Sequence, residues 1–234
     1  DPDVPKSPEE WQARLLGLGF LTEAAGNICC TIAGLVLFGK SPRRYLKQAG
    51  LRVMAFTGDD KEYQAALDDI IDGPMVGRWD LDNGDKRLVD GGVIERFMEA
   101  MTPFISEESG EVDAGLRRET KWFYPLEAVR EAFINALAHR DWTRFVEIEV
   151  SGYSNRLEVI SPGALPNSMT VEKMKAGPRS PRNIIVMEVL RDYGYVDSRG
   201  MGVRTKIVPL TKALTGKEPE FELTDDHLKT VLYR

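Results

Sequence analysis

Apolar and polar positions alternate along this chain with two periods, and the switch between them marks out the elements. Ser7-Pro8-Glu9-Glu10 has the signature of a helix start, with Ser as cap, Pro in the first turn and two acids after it. Trp11, Leu15 and Leu16 then give that helix one apolar side. The most apolar stretch, residues 28–38, is read as a buried strand over 30–38, stopped by Gly39-Lys40-Ser41-Pro42. A second strand is expected over 51–56, and 63–71 fits either period. Asp82-Asn83-Gly84-Asp85 is a turn signal. Residues 93–104 carry helical spacing, with Ile94, Phe97, Met98 and Met101 on one side.

The acidic, small-residue stretch 106–115 reads as a loop or boundary, and a strand is expected over 116–123. Pro125 opens the strongest helix, running to about His139. Residues 145–150 and 156–160 alternate as a hairpin, broken by Ser161-Pro162-Gly163. Helices are expected over 170–175 and 183–193, the second ending at Gly194. Gly200 and Gly202 precede another helix over 203–214, and strands 221–224 and 228–233 close the chain. Long helices mixed with hairpins predict an α+β layered arrangement, organised as 1–110 and 116–234.

Composition narrows the classes. A hydrophobic share of 42% with 29% charged residues is that of a globular protein. No signal-peptide pattern opens the chain, and the apolar run 28–38 is about half the length that crosses a bilayer. The opening Asp1-Pro2-Asp3-Val4-Pro5 reads as a linker, so a piece of a longer protein is expected. Cys29 and Cys30 are adjacent, a spacing that disfavours a disulfide, and are expected as reduced core residues of a soluble, cytoplasmic protein. The net charge of −6 argues against nucleic acid covering the whole surface, although 171–212 is locally basic, with nine Lys or Arg against four acids.

The candidate chemistry lies on the helix that starts at Pro125. Glu127, Glu131, Asn135 and His139 follow one another at intervals of four, so they share one face as a polar stripe on an otherwise apolar helix. Such a stripe either borders a cavity or makes ordinary hydrogen bonds on the helix surface. His139 also suits the negative end of the helix dipole. His227, Trp122 and Trp142 are read as structural.

Taken in order, Glu131-x-x-x-Asn135-x-x-x-His139-Arg140-Asp141, then Ser161-Pro162-Gly163-Ala164-Leu165-Pro166, Arg182-Asn183, and Ser198-Arg199-Gly200-Met201-Gly202 resemble one family. They are similar to the RecG-related, GHKL-type (Bergerat) ATP-binding domain of bacterial and archaeal transcriptional regulators. The part from Leu15 to Gly58, with Thr31-x-Ala33-Gly34-Leu35-x-Leu37-Phe38-Gly39-Lys40-Ser41-Pro42, is similar to the smaller α/β segment that precedes this domain. The resemblance implies a layered α/β sandwich that binds ATP and Mg2+. It gives Glu131 the place of a general base and Asn135 that of a magnesium ligand. Gly163 falls near the adenine ring, Gly200 and Gly202 meet the phosphates, and Arg182 and Arg199 add phosphate contacts. His139, Ser161 and Asn183 complete the nucleotide-binding set. One departure stands out: where the family reads adenine with an Asp, this chain has Ser161-Pro162.

The resemblance further implies a regulatory module whose DNA contacts are made by domains outside this sequence, and it leaves a homodimer open. No Gly-x-x-x-x-Gly-Lys-Ser/Thr loop is present, so helicase activity is not expected of this stretch. The competing reading is a scaffold or dimerisation module that has lost ATP.

Overall fold

A mixed six-stranded sheet forms the centre of the molecule. The structure, a computed structural model, describes residues 4–82, 85–112, 118–166, 169–177, 180–196 and 201–234. Helix α1 (Pro8–Gly17) starts as its sequence predicts, with the Ser7 hydroxyl accepting from the Glu10 amide, but none of its residues is buried. Strands β1 (Leu21–Ala24) and β2 (Asn27–Cys30) make a small hairpin. Both cysteines lie on this hairpin and are exposed, which corrects their expected place in the core.

The apolar run that follows is a helix, α2 (Ile32–Phe38), and not a strand. Thr31 accounts for the difference: its Oγ1 accepts from the Gly34 amide and donates to the Gly19 carbonyl. That side chain satisfies an N–H otherwise left over in the first turn. Gly34 then lets the helix approach the Phe20 backbone so closely that a Cβ would overlap its carbonyl.

Two strands follow, β3 (Leu51–Ala55) and β4 (Leu67–Ile71), then a hairpin of β5 (Arg78–Asp82) with β6 (Asp85–Asp90), and helix α3 (Val93–Ile105). The acidic stretch expected as a loop pairs instead: β7 (Ser106–Val112) runs antiparallel to β8 (Arg118–Trp122). Helix α4 (Leu126–His139) leads into the hairpin β9 (Ile148–Gly152) and β10 (Arg156–Pro162). Helices α5 (Val171–Ala176) and α6 (Ile184–Asp192) come next. A π-helical turn, Val203–Ile207, runs into α7 (Val208–Thr215). Pro209 explains the widened turn, since it has no N–H to close an ordinary one and crowds the carbonyl four residues back. Strands β11 (Glu220–Leu223) and β12 (His227–Tyr233) end the chain.

The large sheet has the order β11-β12-β10-β9-β3-β4, antiparallel except where β3 runs parallel to β9. Register places Val53, Val150, Val159 and Thr230 in one row across it. Leu51, Ile148, Leu157 and Leu232 share that face, and all of these residues are buried. Helices α3 and α4 cover the row, with the Phe97 and Phe133 rings 4.0 Å apart between centroids. On the opposite face the strands carry Arg52, Glu149, Glu158 and Lys229, tied into ion pairs such as Arg52–Asp68 and Lys61–Glu149. The result is the two-layer α+β sandwich that the sequence predicts. The division expected between 110 and 116 does not separate two cores, because β3 finds its partner in β9 and one apolar cluster spans both parts.

Candidate nucleotide-binding site

Helix α4 lies buried against the sheet along most of its length, and its polar stripe runs along the edge of a cavity. The cavity measures about 270 Å³ and is bounded by α4, β10, β12, the loop after β10, α6 and the π-helical turn. Glu131, Asn135, His139, Ser161, Gly163 and Gly202 all line it. Six positions taken from three separate stretches of sequence are therefore brought to one place.

Glu131 is nearly buried at 9% exposure, and its Oε1 accepts from Asn135 Nδ2 at 3.1 Å. That bond fixes the amide, so Oδ1 is the acceptor Asn135 retains. Gly202 backs directly onto the same carboxylate: a Cβ at 202 would fall inside the Glu131 side chain. The backbone there is ordinary right-handed helix, so glycine is required for close approach and not for conformational freedom. His139 stands half-buried in the last turn of α4.

Ser161 is buried on β10, and its hydroxyl donates to the Ala136 carbonyl at 3.2 Å. With the proton spent on the helix, the oxygen keeps acceptor capacity toward the cavity. Gly163 does need its glycine: φ is +98°, and a Cβ would overlap that of Asp141. Its amide donates to the Asp226 carbonyl at 2.6 Å, while the Asp141 amide donates to the Pro162 carbonyl at 2.7 Å. The Pro162–Gly163 turn is thus held from both sides.

Arg182 and Asn183 are placed beside the cavity and serve the same turn. Arg182 pairs with Asp141 at 3.1 Å and donates to the Ala164 carbonyl at 2.6 Å. Asn183 Nδ2 donates to the carbonyls of Ala138 and Arg140, closing the end of α4. Neither lines the cavity. Burial pushes the Asp141 carboxyl up, but hydrogen bonds from the Thr143 hydroxyl and amide, with the Arg182 charge, bring it below the ordinary carboxylate range. Arg199 and Gly200 lie outside the described residues.

Sequence reasoning missed the apolar walls and one polar group. Val159, Leu228 and Phe221 from the sheet face Met174, Met187 and Ile184 across the cavity. Thr230, 7% exposed, stands on the inward-facing register between Leu228 and Leu232. A polar residue in the middle of an otherwise apolar inward alternation was the available signal. Among the described residues, no group of three or more His, Cys, Asp or Glu could hold a metal ion. A single amide is still compatible with magnesium, which commonly takes one or two protein ligands and fills its octahedron with phosphate oxygens and water. No described helix is long and apolar enough to cross a membrane.

No curated protein matches the chain. The crystal structure of the DIP2311 protein from Corynebacterium diphtheriae superposes with a TM-score of 0.67 over 100% of this chain, at 23% identity. At that identity the likeness is one of fold, and the present chain covers 42% of that chain. Residues 146–232 match the family described as "Putative ATP-dependent DNA helicase recG C-terminal". The matched stretch contains Ser161, Gly163, Arg182, Asn183 and Gly202 but begins after α4, so Glu131, Asn135 and His139 join the site through geometry alone. From β9 to β12 the chain is thus similar to this RecG-related, ATPase-like family.

Proposed function

We propose that the chain is the ATP-binding regulatory module of a DNA-binding transcriptional regulator, its DNA contacts made by other domains. The observation that carries the nucleotide part is the convergence of Glu131, Asn135, Ser161, Gly163 and Gly202 on one cavity of about 270 Å³. The apolar walls suit a purine ring, and Ser161 offers an uncharged acceptor for its exocyclic amine, in place of the family's Asp. The Gly163 turn, clasped by Asp141 and Asp226, brings backbone close to the ring position.

Asn135 would hold magnesium through Oδ1, with phosphate oxygens and water completing the shell. Bound magnesium would offset charge on the phosphates. Glu131 holds the amide in place and is the carboxylate positioned to orient a water. Gly202 now covers that carboxylate, so binding can occur in this arrangement, whereas hydrolysis requires the 201–203 backbone to move off Glu131.

Titration of ATP in the presence and absence of Mg2+ tests the reading. Wild type is expected to bind more tightly with Mg2+, and Asn135→Ala to lose that difference while keeping metal-free affinity. Equal affinity of the two proteins for Mg·ATP contradicts the assignment of Asn135. No binding by either favours the nucleotide-free scaffold.

A further inference from the structure

Away from the cavity, two loops are fastened together by a buried arginine. Arg140 is fully buried, and its guanidinium donates through Nη1 to the Gln48 carbonyl and through Nη2 to those of Arg144 and Val146. Gln48 Nε2 donates in turn to the Trp142 carbonyl at 3.1 Å, and Arg43 pairs with Glu147 at 2.8 Å. Residue 43 is therefore tied to 147 and residue 48 to 142, so the loops run in opposite directions. Tyr45 lies between the tied positions on one loop and Phe145 between those on the other. Both rings point into solvent, at 73% and 85% exposure, on loops that carry a buried, hydrogen-bonded splint.

The exposed charge on the first of these loops is positive. Residues 39–57 contain five Lys or Arg and no acid. Asp141, Glu147 and Asp226 also reach the loops but are paired with Arg182, Arg43 and Arg144, and Asp72 accepts from the Arg43 amide. Lys40, Arg44 and Lys47 are exposed and make no ion pair among the described residues. On a chain of net charge −6 this is a local cationic surface with two free aromatic faces.

We propose that this surface binds single-stranded nucleic acid, with bases stacked on Tyr45 and Phe145 and phosphates held by Lys40, Arg44 and Lys47. Every base has a face that stacks on an aromatic ring, and flanking cations track the backbone. A duplex keeps its bases stacked internally and would meet only the cations. An acidic polypeptide would satisfy the charge but would leave two separated rings without the flat partners they fit. The surface uses none of the cavity residues, so the inference stands apart from the reading of the nucleotide site, and it adds a single-strand contact to the DNA contacts proposed for other domains.

The test is fluorescence anisotropy of a labelled twelve-nucleotide oligo-dT with the whole chain, at about 50 mM salt, where phosphate contacts are strong. Saturable binding is expected, and Tyr45→Ala with Phe145→Ala should weaken it at least about tenfold. Arg44→Glu with Lys47→Glu should weaken it and flatten its salt dependence. Should the alanine pair lower the melting temperature, Tyr45→Leu with Phe145→Leu keeps apolar bulk while removing the rings, and is expected to show the same loss. Absence of saturable binding overturns the proposal, as does unchanged affinity in both ring variants. Displacement by poly-glutamate as effective as by unlabelled oligo-dT also overturns it, in favour of an acidic polypeptide.

Discussion

Single atoms decide much of the site. The Gly202 backbone occupies space against Glu131 that no side chain can share, so Gly202→Ala should cost about 1–3 kcal/mol through overpacking. Shortening the opposing side chain removes the clash. Glu131→Ala with Gly202→Ala should therefore be more stable than the sum of the single effects predicts, as a double-mutant cycle by chemical denaturation would show. Additive effects would mean that the two residues do not meet. Asp141 gives a prediction in pH. Its folded-state pKa lies below the ordinary carboxylate value, so its contribution is complete above that range and is lost as pH falls through the folded pKa. Asp141→Asn should lower stability at neutral pH and flatten the acid limb of the stability profile below about pH 4. At this scale the sequence was informative where chemistry repeats along one helix. Glu131, Asn135 and His139 are legible because a spacing of four is a spatial statement in itself. The closeness of Gly202 to Glu131 was not legible as a contact, since 71 residues separate them and only folding brings them together.

Elements show where local and tertiary forces part ways. Helix α4 is buried on most of its surface, and the Phe133 ring packs against that of Phe97 from α3 at a tilt of 31°. Phe133→Ala should cost about 3–5 kcal/mol, measured as a shift in denaturation midpoint at constant slope. The helices with clear caps or clear apolar spacing, α1, α3, α4 and α6, could be read directly. Residues 32–38 could not, because an apolar run of that length fits either a buried strand or a buried helix. The choice is made by Thr31 capping and by Gly34 against Phe20. Ser106–Val112 was equally opaque: its composition is that of a loop, and its strand exists through pairing with Arg118–Trp122. Pairing with a partner strand overrides local preference in strands more readily than packing does in helices.

The whole molecule is held as one unit by contacts that cross the middle of the chain. The parallel pairing of β3 with β9 is one, and Arg140 is another, since it carries three backbone carbonyls from two loops. Burial lowers its pKa to about 10, against the pull of Glu147 and Asp141, so it stays charged at neutral pH. Arg140→Ala would leave those carbonyls without a donor, and a loss of about 3 kcal/mol or more is expected by urea denaturation. The same sheet and helix arrangement holds the cavity open between α4 and β10, and the most direct test of its occupant is thermal. Melting should be followed with and without millimolar Mg·ATP, for wild type and for Asn135→Ala. Ligand at about a hundred times its dissociation constant adds about 2.7 kcal/mol to the folded state, enough for a clear rise in Tm. The account predicts that rise in wild type, and in Asn135→Ala a smaller one, no larger than ATP gives without Mg2+. An unchanged wild-type Tm at saturating Mg·ATP would contradict it.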